Sequence, residues 1–155
     1  KNRLGTAWSL SLLKKHIKNQ ENVIVINGDV LVDINFIDLI KFHENNKCDV
    51  TVVCKKIIQK IDYGVLKIDK RNNVKDIIEK PIYENYINCG IYIFSTNTFK
   101  SLKSEKYLDM DIFLIFLIKR KFKIKIYDFD GFWIDIGNKQ NLKLANNMPI
   151  WNLYA

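Results

Sequence analysis

The chain has 155 residues, 48% hydrophobic and 27% charged, with a formal net charge of +8. It is long enough to bury a core as one domain, and 6 Gly and 2 Pro are too few for a disordered or linker-rich chain. The basic excess reads as solvated lysine, because no basic stripe is interleaved with aromatics as a single-strand nucleic-acid groove requires. No nucleic-acid partner is expected.

In chain order, residues 6–19 carry Ala7, Trp8, Leu10, Leu13 and Ile17 at helical spacing, with Thr6 as candidate N-cap after Gly5. Residues 22–28 form a short β-branched run, expected as a strand buried on both faces and closed by Asn27-Gly28-Asp29. Residues 35–45 place Phe36, Ile37, Leu39, Ile40 and His43 on one broad helical face, capped by Asp33 or Asn35. A strand follows at 49–57. Residues 63–69 and 74–79 flank the polar turn 70–73 as a hairpin. Another strand is expected at 87–94. Residues 109–121 begin with acids and end with bases, which suits the helix dipole. Strands at 123–127 and 131–136 and a helix at 138–147 complete the reading. Early strand–helix alternation with later hairpins predicts an α/β domain with a mixed sheet over 1–147, and a tail at 148–155.

Cys48, Cys54 and Cys89 lie in apolar, strand-like contexts without a C-x-x-C and read as buried free thiols. The apolar run 112–118 is too short to span a bilayer, and residues 1–10 lack a signal-peptide layout. A cytoplasmic protein with no membrane partner is the expectation.

Four stretches carry chemistry. Asp29 directly follows a strand, where open α/β sheets gather ligands. Gly28 permits close approach, and the carboxylate suits a hard cation such as Mg²⁺ or, equally, a plain turn. In Glu79-Lys80-Pro81 the proline forces a turn; Glu79 and Lys80 could read a hydroxyl and a phosphate, or form a surface ion pair. Asn88-Cys89-Gly90 sets a glycine in a strand, marking either a bulge or a close approach. Asp135 stands between apolar residues before Gly137, as a second ligand or as the cap of the next helix. No Ser/His/Asp or Cys/His set accompanies them, and His16 and His43 read as structural or surface residues.

Taken together and in order, LGTA at 4–7, NGD at 27–29, YGV at 63–65, EKP at 79–81, N-x-G-I-Y at 88–92 and W-x-D-I-G at 133–137 resemble the sugar-phosphate nucleotidyltransferases. The resemblance runs from Leu4 to about Asn146. Residues 107–137 look most like the branch acting on mannose, mannoheptose or glucosamine 1-phosphate with GTP. The resemblance implies a Rossmann-like fold, N-terminally truncated, with a mixed, mainly parallel sheet flanked by helices. It implies transfer of a nucleotidyl group from a nucleoside triphosphate, GTP before UTP or dTTP, to a sugar 1-phosphate, yielding a nucleotide sugar for surface glycans and pyrophosphate. It implies Gly5, Thr6, Gly28 and Asp29 at the nucleotide, and Mg²⁺ held by Asp29 and Asp135. Gly64, Glu79 and Asn88 would meet the sugar, Lys80 its phosphate, and Trp133 would hold Asp135 in place. Asp29, Lys80 and Asp135 would be the catalytic residues.

The family's G-G-x-G-T-R-L loop and following lysine have no counterpart in these residues. The expectation is therefore a piece of a longer protein or a truncated product, without ordinary catalysis alone. Apolar surface left by missing strands would invite a homo-oligomer or an N-terminal segment as partner. The alternative reading is a non-catalytic remnant or regulatory module that keeps a sugar-phosphate or sugar-nucleotide site.

Overall fold

A computed structural model describes residues 4–13, 16–17, 21–100, 102 and 107–148. Its elements are α1 (Trp8–Leu13), β1 (Asn22–Ile26), β2 (Val30–Val32), α2 (Phe36–Asn45), β3 (Val50–Lys60), β4 (Val65–Ile68), β5 (Val74–Ile78), β6 (Ile82–Ser95), α3 (Thr96–Phe99), α4 (Met110–Lys119), β7 (Ile124–Asp128), β8 (Trp133–Asp135) and α5 (Lys139–Asn147). The tail expected at 148–155 lies outside the described residues beyond Met148, as does part of the helix expected at 6–19.

Four strands pair in the order β1-β6-β3-β7. β6 runs antiparallel to β1 and β3, and β7 runs parallel to β3, so three of the four strands point the same way in a mixed sheet. Alternate side chains leave opposite faces of a strand, and the sheet separates two cores accordingly. Val50, Tyr92 and Phe94 meet Ala7, Leu10 of α1, and Phe113 and Leu117 of α4. Val53, Ile91 and Ile93 meet Leu39 of α2. The Phe94 ring lies 5.7 Å from those of both Phe99 and Phe113, which adds aromatic pairing to area burial.

β1 corrects the expectation of a strand buried on both faces. Val23 and Val25 pack on the α1/α4 core, but Ile24 and Ile26 remain 36% and 44% exposed. β1 is an edge strand among the described residues, and the α2 core is built on β3 and β6 instead. β6 starts five residues before the strand expected at 87–94. Residues 82–86 are exposed throughout, so no apolar alternation marks them; pairing with 56–60 makes them a strand. The resulting ribbon leads to the separate β4–β5 hairpin.

Asn35 caps α2, its side-chain oxygen accepting from the Ile37 and Asp38 N–H groups at 3.0 and 3.4 Å. His43 is buried on α2, with Nδ1 2.8 Å from the Thr51 hydroxyl. All three cysteines are buried free thiols. No helix among the described residues is long and apolar enough to cross a membrane.

Candidate active site

Past the end of β1, the Asn27 N–H still donates to the Gly90 carbonyl at 2.9 Å. Gly28 and Asp29 then turn the chain into β2. β2 pairs antiparallel with β8, setting Val30 opposite Asp135 and Val32 opposite Trp133. Ile136 extends the ribbon by donating its N–H to the Asp29 carbonyl at 2.8 Å. Two carboxylates more than a hundred residues apart are thereby neighbours. A methyl group on Gly137 would lie 2.9 Å from Asp29 Oδ2 and 3.0 Å from Asp135 Oδ1, so both carboxylates converge on this glycine.

Asp135 does not cap α5. That role falls to Asn138, whose side chain accepts from the Asn141 N–H at 2.8 Å. Asp135 Oδ1 instead accepts from the Gly137 N–H at 2.7 Å, and its carbonyl accepts from Asn141 Nδ2 at 2.6 Å. Among the described residues no group of three His, Cys, Asp or Glu side chains forms a metal cage. Two carboxylates still fit Mg²⁺, which takes one or two protein carboxylates and completes its octahedron with water and phosphate oxygens.

Beside this corner opens a cleft of about 470 Å³, lined by Thr6, Ser9, Asn27, Gly28, Asp29 and Met110 among others. Thr6 corrects its expected role as cap of its own helix. Its hydroxyl accepts from the Met110 N–H at 3.0 Å and its N–H donates to Asp109 Oδ1 at 3.1 Å, so it caps α4 from the other end of the chain. Gly5 is not in the lining. It has φ +90, and a methyl there would stand 2.3 Å from the Leu108 carbonyl oxygen, so only glycine fits this contact.

Gly64 and Glu79 meet at the base of the hairpin: a methyl on Gly64 would be 3.1 Å from Glu79 Oε2. Lys80 has φ 45, a left-handed conformation uncommon for a non-glycine residue. It makes no ion pair with Glu79 among the described residues. Asn88 spans a bulge in which residues 89–91 of β6 stand opposite Val53 alone. Its Nδ2 donates to the Tyr92 hydroxyl at 2.8 Å and its Oδ1 accepts from the Gly90 N–H at 3.0 Å. One N–H and one lone pair remain for another partner. Gly90 is both bulge and close approach, with φ +73 and a methyl position 2.7 Å from Asn27 Nδ2.

Trp133 donates its indole N–H to the Cys89 carbonyl at 2.9 Å, tying β8 to this bulge. The Cys89 thiol is pushed up to about 11, chiefly by burial, and stays protonated at neutral pH. Lys55 Nζ donates to the Gly131 carbonyl at 2.7 Å, anchoring the loop that enters β8. Sequence reading missed Lys55, Asn27, Ser9 and Met110. Asn27 lay inside a quoted motif; the other three had no local signal.

Residues 1–149 match the family model described as nucleotidyl transferase. The chain is 32% identical over 142 residues to mannose-1-phosphate guanylyltransferase catalytic subunit beta of Drosophila pseudoobscura pseudoobscura, covering 89% of this chain and 38% of that protein. It is 31% identical over 146 residues to the same subunit of Danio rerio, covering 91% of this chain and 40% of that protein. The chain thus spans about two-fifths of the length of these relatives. The crystal structure of HddC from Yersinia pseudotuberculosis superposes with a TM-score of 0.65 at 26% identity, covering 94% of this chain and 62% of HddC. HddC has also been solved in complex with GMP-PN. With its carboxylate corner, cleft and Rossmann-like mixed sheet in place, the chain belongs to the nucleotidyl transferase family, among the sugar-phosphate nucleotidyltransferases.

Proposed function

We propose that residues 1–147 form the metal- and acceptor-binding part of a sugar-1-phosphate guanylyltransferase. One observation carries the reading: Asp29 and Asp135 converge on Gly137 beside a cleft lined by Thr6, Gly28 and Asp29. The names of the relatives support GTP as the donor. A protein consuming GTP to activate sugars for glycan assembly belongs in the cytoplasm.

In the proposed reaction a phosphate oxygen of the sugar 1-phosphate forms a bond to the α-phosphorus of GTP. The bond from that phosphorus to the bridging oxygen breaks, and its electron pair leaves with pyrophosphate. The attacking oxygen is already anionic, so no side chain must remove a proton. What remains is positioning and charge neutralisation. Asp29 and Asp135 would hold Mg²⁺, which would supply positive charge against the phosphates when bound. Lys80 places a positive charge on the acceptor phosphate. Glu79 accepts from a sugar hydroxyl, the bare Gly64 backbone leaves the sugar room, and Asn88 offers its remaining N–H and lone pair. Trp133 fixes β8 and hence Asp135. Thr6 and Gly28 border the nucleotide, and Gly5 sets the path of the chain into Thr6.

The test is pyrophosphate release by the full-length protein from each triphosphate with a panel of sugar 1-phosphates. Turnover with GTP is expected. Asp29→Asn and Asp135→Asn should each lower it by about 100-fold or more, the scale of losing one charge-stabilising group, with the circular dichroism spectrum unchanged. Full activity in either variant would refute the metal assignment. Tight binding of a nucleotide sugar with no pyrophosphate from any triphosphate would identify the non-catalytic module instead.

A further inference from the structure

α4 reads MDIFLIFLIK, apolar nearly all round although one side faces water. Its inner face is accounted for, since Met110, Phe113 and Leu117 are buried against α1 and the sheet. Its outer face carries Ile112, Ile115 and Ile118, which are 48%, 50% and 60% exposed. Their three-residue spacing makes them one stripe. The stripe is symmetrical about Ile115: an isoleucine stands three residues to either side, with Asp111 four residues before and Lys119 four residues after. Asp111 and Lys119 are both exposed, and neither belongs to an ion pair among the described residues.

An antiparallel copy of α4 crossing at Ile115 meets its own pattern reversed. Ile112 falls against Ile118, Ile115 against its counterpart, and Asp111 against Lys119, twice over. We infer that the outer face of α4 is the two-fold contact of a homodimer, packed antiparallel about Ile115. Such self-complementarity is what an isologous interface needs, because the same patch must serve both partners. Charge complementarity selects a second copy over an unrelated apolar partner, which would leave both charges unanswered. α4 is only about 15 Å long, whereas a standard interface buries about 800 Å² per partner. The pair is therefore a weak, concentration-dependent one.

Sedimentation equilibrium of the full-length protein over a concentration series tests this. The samples are wild type, Asp111→Lys, Lys119→Asp and the double reversal. Wild type should dimerise. Each single reversal sets like charges together at both symmetric contacts and should weaken dimerisation about tenfold or more. The double reversal should recover it, although it works against the α4 dipole; circular dichroism reports whether the helix persists. Ile115→Cys supplies a second readout, an inter-chain disulfide at the axis under mild oxidation, because the three native thiols are buried. A wild type that stays monomeric at every concentration overturns the inference. So does association indifferent to the single reversals, which would give the stripe to another segment of a longer chain and the dimer to another face. Failure of the double reversal to recover, with α4 intact, overturns it as well.

Discussion

Gly137 is the residue on which the candidate site turns. Its methyl position lies 2.9 and 3.0 Å from oxygens of Asp29 and Asp135, too close for an unmoved neighbour. Both are side-chain ends, which can swing aside at little cost to the fold. Gly137→Ala should therefore separate the carboxylates. Activity of the full-length protein should fall about tenfold or more, because misplacing a catalytic group by about 1 Å is costly, while the urea midpoint barely moves. Equal activity, or a loss that merely follows unfolding, would count against the convergence. Gly90 differs in kind, because its positive φ makes any side chain there a backbone problem as well.

At the scale of elements, most of the site is held by contacts between segments distant in sequence. Thr6 caps α4, Trp133 ties β8 to β6, and Lys55 ties β3 to the loop before β8. Replacing Thr6 by alanine orphans the Met110 N–H and should cost about 1 kcal/mol, the ordinary value of a lost N-cap. Thr6→Ser keeps the hydroxyl and should recover most of that stability. Urea denaturation of the two variants checks the assignment, and an alanine variant as stable as the serine one would contradict it. Asp109, which caps the same turn by position, makes no side-chain cap bond of its own. Its carboxylate instead takes the Tyr107 hydroxyl and the Thr6 N–H, which together hold it below the usual carboxylate range.

For the whole molecule, His43 makes stability depend on pH. It joins α2 to the sheet through Thr51, and burial lowers its pKa below 6.5. The unfolded chain therefore binds this proton more readily than the folded one, and stability rises with pH. The contribution is fully present above about pH 6.5. It is lost as pH falls from there through the lower pKa of the folded state. Urea midpoints of wild type should drop across this window more steeply than those of His43→Gln. Parallel curves would show that His43 is not the group responsible. Since α2 carries one of the two cores, loosening it exposes Leu39 and the β3 and β6 residues packed on it.

The sequence by itself determined most of the segments that become strands and helices where one face is buried, though not β2 or the short, buried α3. Val50 and Phe94 alternate with Thr51 and Ile93 because each side of the sheet has its own core, and period-two burial writes itself into local composition. It also determined the motif order and the polar turn between β4 and β5, where Asp69 accepts from the Arg71 and Asn73 N–H groups at 2.8 and 3.0 Å. The same local logic failed for residues 82–86, exposed on both faces, and for β1, where an apolar run meets a core on one side only. Tertiary structure alone decided that Asp29 and Asp135 meet at Gly137, that Thr6 serves α4, and that Lys55 reaches Gly131. Those contacts join residues far apart along the chain. No propensity, period or cap preference within a window of residues carries that information, because the pairing depends on where the sheet delivers each strand end.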